Sequence, residues 1–309
     1  MRLPLAVRGA AGLAAAGVAG LGYAWLEARR FVLRRADVPV LPPGSDPIRV
    51  LHLSDLHLVP RQRRKFAWVQ RLGDLEPDLV VSTGDSLASM DAVEAALEAH
   101  GRLLDRPGVF VMGSNDYYAP KVKNPARYLL KHGGERRIHG GRLPTDDLIK
   151  GFLDAGWTDL NNRRTSLQVA GQRIEFVGVD DPHIQRDRYE VVAGPASGEA
   201  ALTVGVTHAP YRRVLDAMTA DGAGLVLAGH THGGQLCLPL FGALTTNCDL
   251  PLRQAKGVSR WPSDGGRGAR PAESAWLHVS AGLGTPPYAV VRFACRPEAT
   301  LLTLTARQG

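Results

Sequence analysis

Residues 48–57, IRVLHLSDLH, join an apolar run to two polar side chains. The run Ile48–Leu53 is short and rich in aliphatic residues, which predicts a buried β-strand. Asp55 and His57 follow it two positions apart, and in extended backbone the side chains at i and i+2 project to the same side. The stretch therefore predicts a strand whose carboxyl end presents a carboxylate and an imidazole to one point.

The same arrangement recurs four times further along the chain. Strand-like runs at residues 79–83, 109–112, 202–206 and 225–228 each lead into polar residues beside a glycine or threonine. Ligands of open α/β sheets bind at the carboxyl ends of strands. One such motif is common by chance, but five in succession predict a shared site. The residues delivered there are Asp85, Asn115, Asp116, His208, His230 and His232.

These side chains carry the donor atoms that divalent metal ions prefer. Carboxylate and amide oxygens together with imidazoles suit Mn²⁺, Fe, Zn²⁺ or Mg²⁺. The three cysteines form no CxxC pair, which argues against thiolate zinc. Two ions about 3.5–4 Å apart can hold a hydroxide nucleophile and neutralise the attacking and leaving oxygens of a phosphoryl displacement. The sequence therefore predicts two divalent metal ions, whose identity it leaves open.

The ordered motifs resemble the calcineurin-like metallophosphoesterase superfamily. Its signature is DxH, GD, GNH[DE], GH or TH, and GHxH; this chain has DLH at 55–57, GD at 84–85, GSND at 113–116, TH at 207–208 and GHTH at 229–232. Four of the five motifs match, over residues 54–233, and the run GHTHGGQ with an apolar amino terminus is similar to a bacterial membrane-associated branch. The resemblance implies an α/β fold, a four-layer αββα sandwich. It also implies one metal ion on Asp55, His57 and His232, a second on Asn115, His208 and His230, and Asp85 as the bridge.

The third motif departs from the family pattern. GSND lacks the histidine that helps the leaving group in the family. Either Asn115 is the ligand and Asp116 replaces that histidine, or an alignment without a gap puts Ser114 at the ligand position and Asn115 at that of the histidine. An amide oxygen is the better donor to a hard ion, which favours Asn115. Asp116 is then the candidate general acid, provided that burial or neighbouring carboxylates raise its pKa.

Other polar residues near the motifs are further candidates. One group is Asp180, Asp181 and His183. These residues could hydrogen-bond the ligand imidazoles. The alternative is a turn in which the Asp side chains bond the backbone. Others could line a substrate cleft, since arginine suits phosphate; they are Tyr117, Tyr118, Arg127 and Arg292.

The amino terminus is apolar. Residues 9–26, GAAGLAAAGVAGLGYAWL, carry no charge and have arginines on both sides. As a helix they would be about 27 Å long, close to the hydrocarbon thickness of about 30 Å. We expect residues 1–30 to be a single-pass anchor in the cell membrane, with a cleaved signal peptide as the alternative. The arginine counts bias only weakly towards a cytoplasmic domain, so the side of the membrane stays open.

The rest of the chain reads as one α/β domain, residues 47–309, after an extended lead-in at 31–46. Helical spacing between the apolar runs predicts helices at 65–75, 90–104, 145–155 and 212–219, and a hairpin at 166–178. Two irregular stretches, about 119–143 and 236–275, are expected to be insertions that act as lids or are disordered. Cys237 and Cys248 in the second stretch are candidates for a disulfide.

These features together predict a membrane-anchored phosphoesterase. It would cleave a phosphate mono- or diester or a pyrophosphate by attack of metal-bound hydroxide, and the anchor favours a lipid-linked substrate. The dispersed net charge of +7 argues against nucleic acid as a partner. Two alternatives remain: a non-catalytic membrane protein with a structural or regulatory metal centre, which the missing histidine suggests, and a soluble cyclic-nucleotide phosphodiesterase after signal cleavage.

Overall fold

Strands and helices alternate along most of the chain, as the α/β prediction requires. The computed structural model describes residues 5–121, 140–262 and 274–308, with backbone only for residues 5–13. The first half contains α1 (Leu5–Glu27), β1 (Val32–Leu41), β2 (Ile48–Leu53), α2 (Arg63–Gln70), β3 (Leu79–Ser82), α3 (Val93–His100), β4 (Gly108–Phe110), α4 (Ser114–Tyr117), α5 (Thr145–Asp154) and β5 (Thr158–Asp159). The second half contains β6 (Arg163–Val169), β7 (Gln172–Gly178), β8 (Leu202–Val206), α6 (Arg212–Ala220), β9 (Leu225–Ala228), β10 (Cys237–Leu238), β11 (Gly242–Ala243), β12 (Gly257–Trp261), β13 (Ala275–Val279) and β14 (Glu298–Ala306).

Two six-stranded mixed sheets form the framework. The strand order is β1-β14-β2-β3-β4-β5 in the first and β12-β13-β9-β8-β7-β6 in the second. In the first sheet β2, β3, β4 and β5 run parallel, and in the second β7, β8, β9 and β13 do. Parallel neighbours end at the same edge of a sheet, so the polar residues that follow these strands are brought together.

Three hydrophobic clusters show how the layers stack. One contains residues of both sheets, among them Val50 and Phe176, so the sheets pack face to face. A second joins Phe110 of the first sheet to Phe152 of α5, together with residues of α2 and α3. The third joins the second sheet to Leu215 of α6. Because helices cover the outer face of each sheet, the central strands are buried on both faces and read as nearly continuous apolar runs.

The predicted helices and hairpin form with shifted ends. Helix α2 continues as a 3₁₀ turn (Arg71–Leu75), and α3 continues in the same way (Gly101–Asp105). Strands β6 and β7 form the expected hairpin, whose two turn residues both have positive φ: 47° at Ala170 and 76° at Gly171. That backbone is the type that matches the twist of a two-residue hairpin.

The amino-terminal segments differ in part from expectation. Residues 9–26 lie within helix α1, but among the described residues no helix is both long and apolar enough to cross a membrane. The expected lead-in is extended, and β1 within it pairs with β14 as the edge strand of the first sheet. Val38 and Val40 of β1 are buried in the cluster between the two sheets, which explains why the lead-in is part of the domain.

The two predicted insertions are only partly described. Residues 122–139 and 263–273 lie outside the described residues. The described part of the second insertion carries the short strands β10, β11 and β12 and a 3₁₀ turn (Leu252–Gln254). Cys237 and Cys248 are both free thiols. Cys237 packs with Cys295, a partner that the sequence analysis did not consider.

Candidate metal centre

The loops that follow the strands hold most of the predicted ligands in a left-handed backbone. Asp55, His57, Asp85, His230 and His232 all have φ between 43° and 68°. This conformation costs an L-residue about 1–2 kcal/mol, so the surrounding structure must impose it. The expectation that extended backbone aligns i and i+2 side chains is therefore wrong. Tight left-handed loops direct the side chains instead.

Four side chains converge at one point. The ligand atoms of Asp55, His57, Asp85 and His232 all lie within 4.8 Å of one another. His57 Nε2 is 3.5 Å from Asp85 Oδ2, and His232 Nε2 is 3.6 Å from Asp55 Oδ1. The two imidazole Nε2 atoms are 3.2 Å apart. Carboxylate oxygens and imidazole nitrogens at this spacing form a donor set that suits a divalent metal ion.

A second group of side chains also lies against Asp85. His208 Nε2 is 3.6 Å from Asp85 Oδ1, and the Asn115 side-chain amide donates to Asp85 Oδ2 at 2.7 Å. The ring centroids of His208 and His230 are 5.2 Å apart. One oxygen of Asp85 thus faces His57 and the other faces His208. The Asn115 side-chain amide bonds the same oxygen that faces His57.

Two of the donor atoms are buried without a hydrogen-bond partner among the described residues. They are Asp55 Oδ1 and His208 Nε2. Leaving such groups unpaired costs about 1–3 kcal/mol each. His208 Nδ1 lies 2.6 Å from the carbonyl oxygen of Thr83, an acceptor, so Nδ1 carries a proton and Nε2 is the nitrogen that is left to bind a metal ion. The site therefore fits divalent metal ions, which supply the missing partners.

Burial sets the protonation of the site. It lowers the pKa of His57 and His232 well below the usual range and raises that of Asp85. Burial alone would also lower the pKa of His208, but nearby carboxylates, Asp85 foremost, raise it to about 9. His57 and His232 are thus already neutral, as metal coordination requires, while His208 must first lose a proton.

Comparison with known proteins decides the family. The sequence profile of the calcineurin-like phosphoesterases matches residues 48–234, which are more than half of the chain and include the positions of all five motifs. The chain belongs to the calcineurin-like phosphoesterase family. As predicted, it is a metal-dependent phosphoester hydrolase.

Relatives of about one quarter identity extend over nearly the whole phosphoesterase. The metallophosphoesterase YkuE of Bacillus subtilis is 26% identical over 304 residues, which are 96% of this chain and 93% of its own length. The phosphodiesterase YaeI of Escherichia coli is 24% identical over 294 residues, 92% of this chain and 93% of its own. Among solved structures, a 5'-nucleotidase precursor from Thermus thermophilus covers 84% of this chain and 55% of its own at 15% identity and a TM-score of 0.42.

The departing GSND motif places Asn115, not Ser114, against the phosphoesterase's central carboxylate. The backbone N–H of Asn115 donates to Asp85 Oδ1 at 2.7 Å, in addition to the side-chain bond. Ser114 Oγ is 3.5 Å from the Asn115 amide nitrogen. These contacts place Asn115 beside Asp85, and its role as the ligand stays a prediction.

Asp116 is buried, but its oxygens are already engaged. Oδ1 accepts the backbone N–H groups of Ser86 and Leu87, and Oδ2 accepts those of Asp85 and Gly113, all at 2.7–3.1 Å. Burial, and then the charge of Asp85, raise its pKa to about 6. The carboxylate therefore ties the GSND loop to the loop that carries Asp85, and no contact with a described residue supports its predicted role as proton donor.

Of the other polar candidates, His183 contacts His230. The ring of His183 lies 4.2 Å from that of His230 by centroids, and its Nδ1 is 3.1 Å from the Tyr211 hydroxyl. Asp181 accepts the backbone N–H of His183, the turn contact that was the alternative interpretation. Asp181 is also buried, which raises its pKa to about 7. His183 thus supports a ligand by ring contact, while Asp181 shapes the turn.

The predicted cleft residues do not form one group. Tyr117 donates to Asp180 Oδ1 at 2.9 Å and carries the guanidinium of Arg186 4.0 Å above its ring. Tyr118 forms a β-bridge with residue 142. Arg127 lies outside the described residues. Arg292 is fully buried and donates to backbone carbonyl oxygens, so it holds a loop of the site and does not line a cleft.

Several residues that hold the ligands are not predicted by the motifs. Ser54 Oγ donates to Asp55 Oδ2 at 2.5 Å, Lys65 Nζ donates to the Leu56 carbonyl at 2.6 Å, and the Asn247 carbonyl lies 3.2 Å from His230 Nε2. Ser54 could have been found by its place beside DLH. Lys65 and Asn247 lie outside the motifs, so only the folded chain reveals their roles.

Proposed function

We propose that the protein is a dinuclear-metal phosphoesterase. The observation that carries this proposal is the position of Asp85, whose Oδ2 lies 3.5 Å from His57 Nε2 and whose Oδ1 lies 3.6 Å from His208 Nε2. A carboxylate between two donor groups is what a two-metal site needs. One ion would be held by Asp55, His57 and His232 and the other by Asn115, His208 and His230, with Asp85 shared.

The chain prepares this site before any ion binds. Divalent ions supply a nucleophile at neutral pH and neutralise the charge that develops on phosphoryl oxygens. The Thr83 carbonyl fixes the tautomer of His208, and Arg292 binds the carbonyls of the loops around His232. Ligands locked by such hydrogen bonds need little rearrangement when ions bind.

We further propose that the substrate is a phosphate ester or pyrophosphate presented at a membrane. Val18, Leu21 and Leu26 of α1 expose large apolar side chains, which supports a membrane location. Relatives from Bos taurus and Danio rerio are named transmembrane proteins with a metallophosphoesterase domain; the Bos taurus relative is 26% identical over 87% of this chain and 56% of its own length.

Metal analysis together with hydrolysis of aryl phosphate mono- and diesters in Mn²⁺ tests the enzyme assignment. Asp85→Asn should lower kcat/KM about 1,000-fold, because charge stabilisation worth several kcal/mol is lost. Bound metal should fall in parallel. Asp74→Asn is the matched control, since Asp74 is exposed and paired with the surface residue Arg102. Equal hydrolysis by the Asp85→Asn and parent proteins would overturn the proposal.

A further inference from the structure

A hairpin with an apolar tip leaves the metal centre directly. Strands β10 and β11 pair antiparallel five residues after His232, and we call residues 236–244 the apolar hairpin. At its tip Leu240 is 103% exposed and Phe241 is 86% exposed. Leu236, Leu238 and Leu244 on its arms are also exposed. Exposed apolar patches of this kind mark interaction surfaces.

Both ends of the apolar hairpin are fastened to the site. Its first arm follows the 3₁₀ turn His232–Gly234. Beyond its second arm, the Asn247 carbonyl lies 3.2 Å from His230 Nε2. Whatever binds the tip is therefore held at the rim of the metal centre.

The apolar hairpin is continuous with the end of helix α1. Leu236 forms a β-bridge with Phe293, whose ring lies 5.5 Å from that of Tyr23 by centroids. The backbone N–H of Arg292 donates to the Ala24 carbonyl at 3.0 Å. Exposed apolar residues on this second part of the surface are Val18, Leu21, Tyr23, Trp25, Leu26, Tyr288 and Val290.

Arginines border this surface at the end of α1. The Arg29 guanidinium lies 3.7 Å from the Trp25 ring centroid. Burial, and then the positive charge of Arg64, lower the pKa of Arg29, so these two arginines lie near each other. Arg296 donates to the Arg30 carbonyl at 2.8 Å. Glu27, the acid of this turn, is buried and accepts the Ala294 N–H. Apolar side chains bordered by arginines match an anionic bilayer, where chains enter the acyl boundary and cations meet headgroup phosphates.

We propose that the apolar hairpin and the exposed side of α1 form one surface that inserts into the headgroup region of an anionic lipid bilayer. The rim of the metal centre then faces the membrane, and a phosphate ester can reach it without leaving the lipid. This last clause rests on the proposed function. The insertion itself does not.

Sedimentation of the full chain with vesicles tests the surface. Vesicles of phosphatidylcholine alone are compared with vesicles that also contain phosphatidylglycerol. Leu240→Ser/Phe241→Ser should lower partitioning into the anionic vesicles by about 10- to 100-fold. Leu153→Ser/Val191→Ser is the matched control, because these residues are 47% and 59% exposed and lie on α5 and in the 3₁₀ turn Tyr189–Val191. Arg30→Gln/Arg64→Gln should reduce the preference for anionic vesicles by about five-fold per arginine.

Hydrolysis of a soluble aryl phosphate diester, measured on the same samples, separates this proposal from the proposed function. The hairpin variant should hydrolyse it as fast as the parent. Absence of vesicle binding by an active parent, or equal binding by the hairpin variant, would overturn the surface. The proposal would also be overturned if the parent protein were a dimer in lipid-free solution and the hairpin variant were a monomer, because a second copy of the chain would then cover the apolar hairpin. A parent that binds vesicles but hydrolyses no ester would overturn the proposed function alone.

Discussion

Asp85 and Asp116 are both buried carboxylates, and their partners separate their roles. Asp85 faces imidazole nitrogens on two sides. Asp116 faces only backbone N–H groups, four of them, among the residues that the structure describes. The four donors offset part of the rise in pKa that burial and Asp85 cause, and the bonds order the loops that supply them. The GSND motif thus indicates that Asp116 lies near the metal centre, but it does not indicate that Asp116 binds backbone N–H groups.

Asp116→Asn should destabilise the fold by about 2–4 kcal/mol, because an amide nitrogen cannot accept the N–H groups that the second oxygen accepts. Urea unfolding of the metal-free protein measures the change. Metal content should fall as well, since the loop that carries Asp85 loses its tie to GSND.

A general acid would behave differently under the same substitution. Asp116→Asn would then keep stability and metal content, and kcat would fall more for alkyl than for nitrophenyl leaving groups, which need no proton. That pattern would contradict the positioning role.

At the scale of elements, apolar runs that end in polar residues are enough to predict the strands and their shared edge. The geometry of the loops is not visible in the sequence, because the left-handed backbone at Asp55 and His57 is imposed by bonds to another loop: their N–H groups donate to the carbonyls of Gly84 and Asp85. The charge of Arg292 makes it a candidate for the site, but its position in the site cannot be predicted from the sequence. Its function depends on carbonyls brought together only by folding.

Gly84 is a place where the loop packing forbids a side chain. Its φ is +87°, and an added Cβ would lie 2.4 Å from the backbone nitrogen of Gly113. Gly44 has a similar φ of +82° with nothing within 4 Å among the described residues. Gly44→Ala should therefore cost only the conformational strain of about 1–2 kcal/mol. Gly84→Ala adds a backbone collision, so it should cost more than about 3 kcal/mol and reduce metal content. Equal losses in urea unfolding would contradict the close packing of these loops.

At the scale of the whole molecule, the metal centre joins the two sheets. Asp55, His57 and Asp85 follow strands of the first sheet, whereas His208 and His230 follow strands of the second. Ions bound by both groups would hold the sheets together at this edge. Because the unfolded chain has no such site, metal binding should stabilise the whole fold.

Removal of metal with EDTA should lower the free energy of unfolding, by about 2.7 kcal/mol for each site that was loaded at 100 times its Kd. The difference should depend on pH through His208. In the metal-free protein the pKa of His208 is about 9, compared with about 6.5 for an ordinary histidine. Protonation of His208 therefore stabilises the fold fully below about pH 6.5, and this contribution is lost as the pH rises through 9. Metal binding must displace that proton, so the gap between loaded and metal-free protein should shrink by about 1.4 kcal/mol per pH unit between 9 and 6.5. Thermal or urea unfolding at several pH values measures this difference in the free energy of unfolding. For Asp85→Asn the metal-loaded and metal-free proteins should differ very little. A gap that widens on acidification would mean that His208 does not coordinate metal.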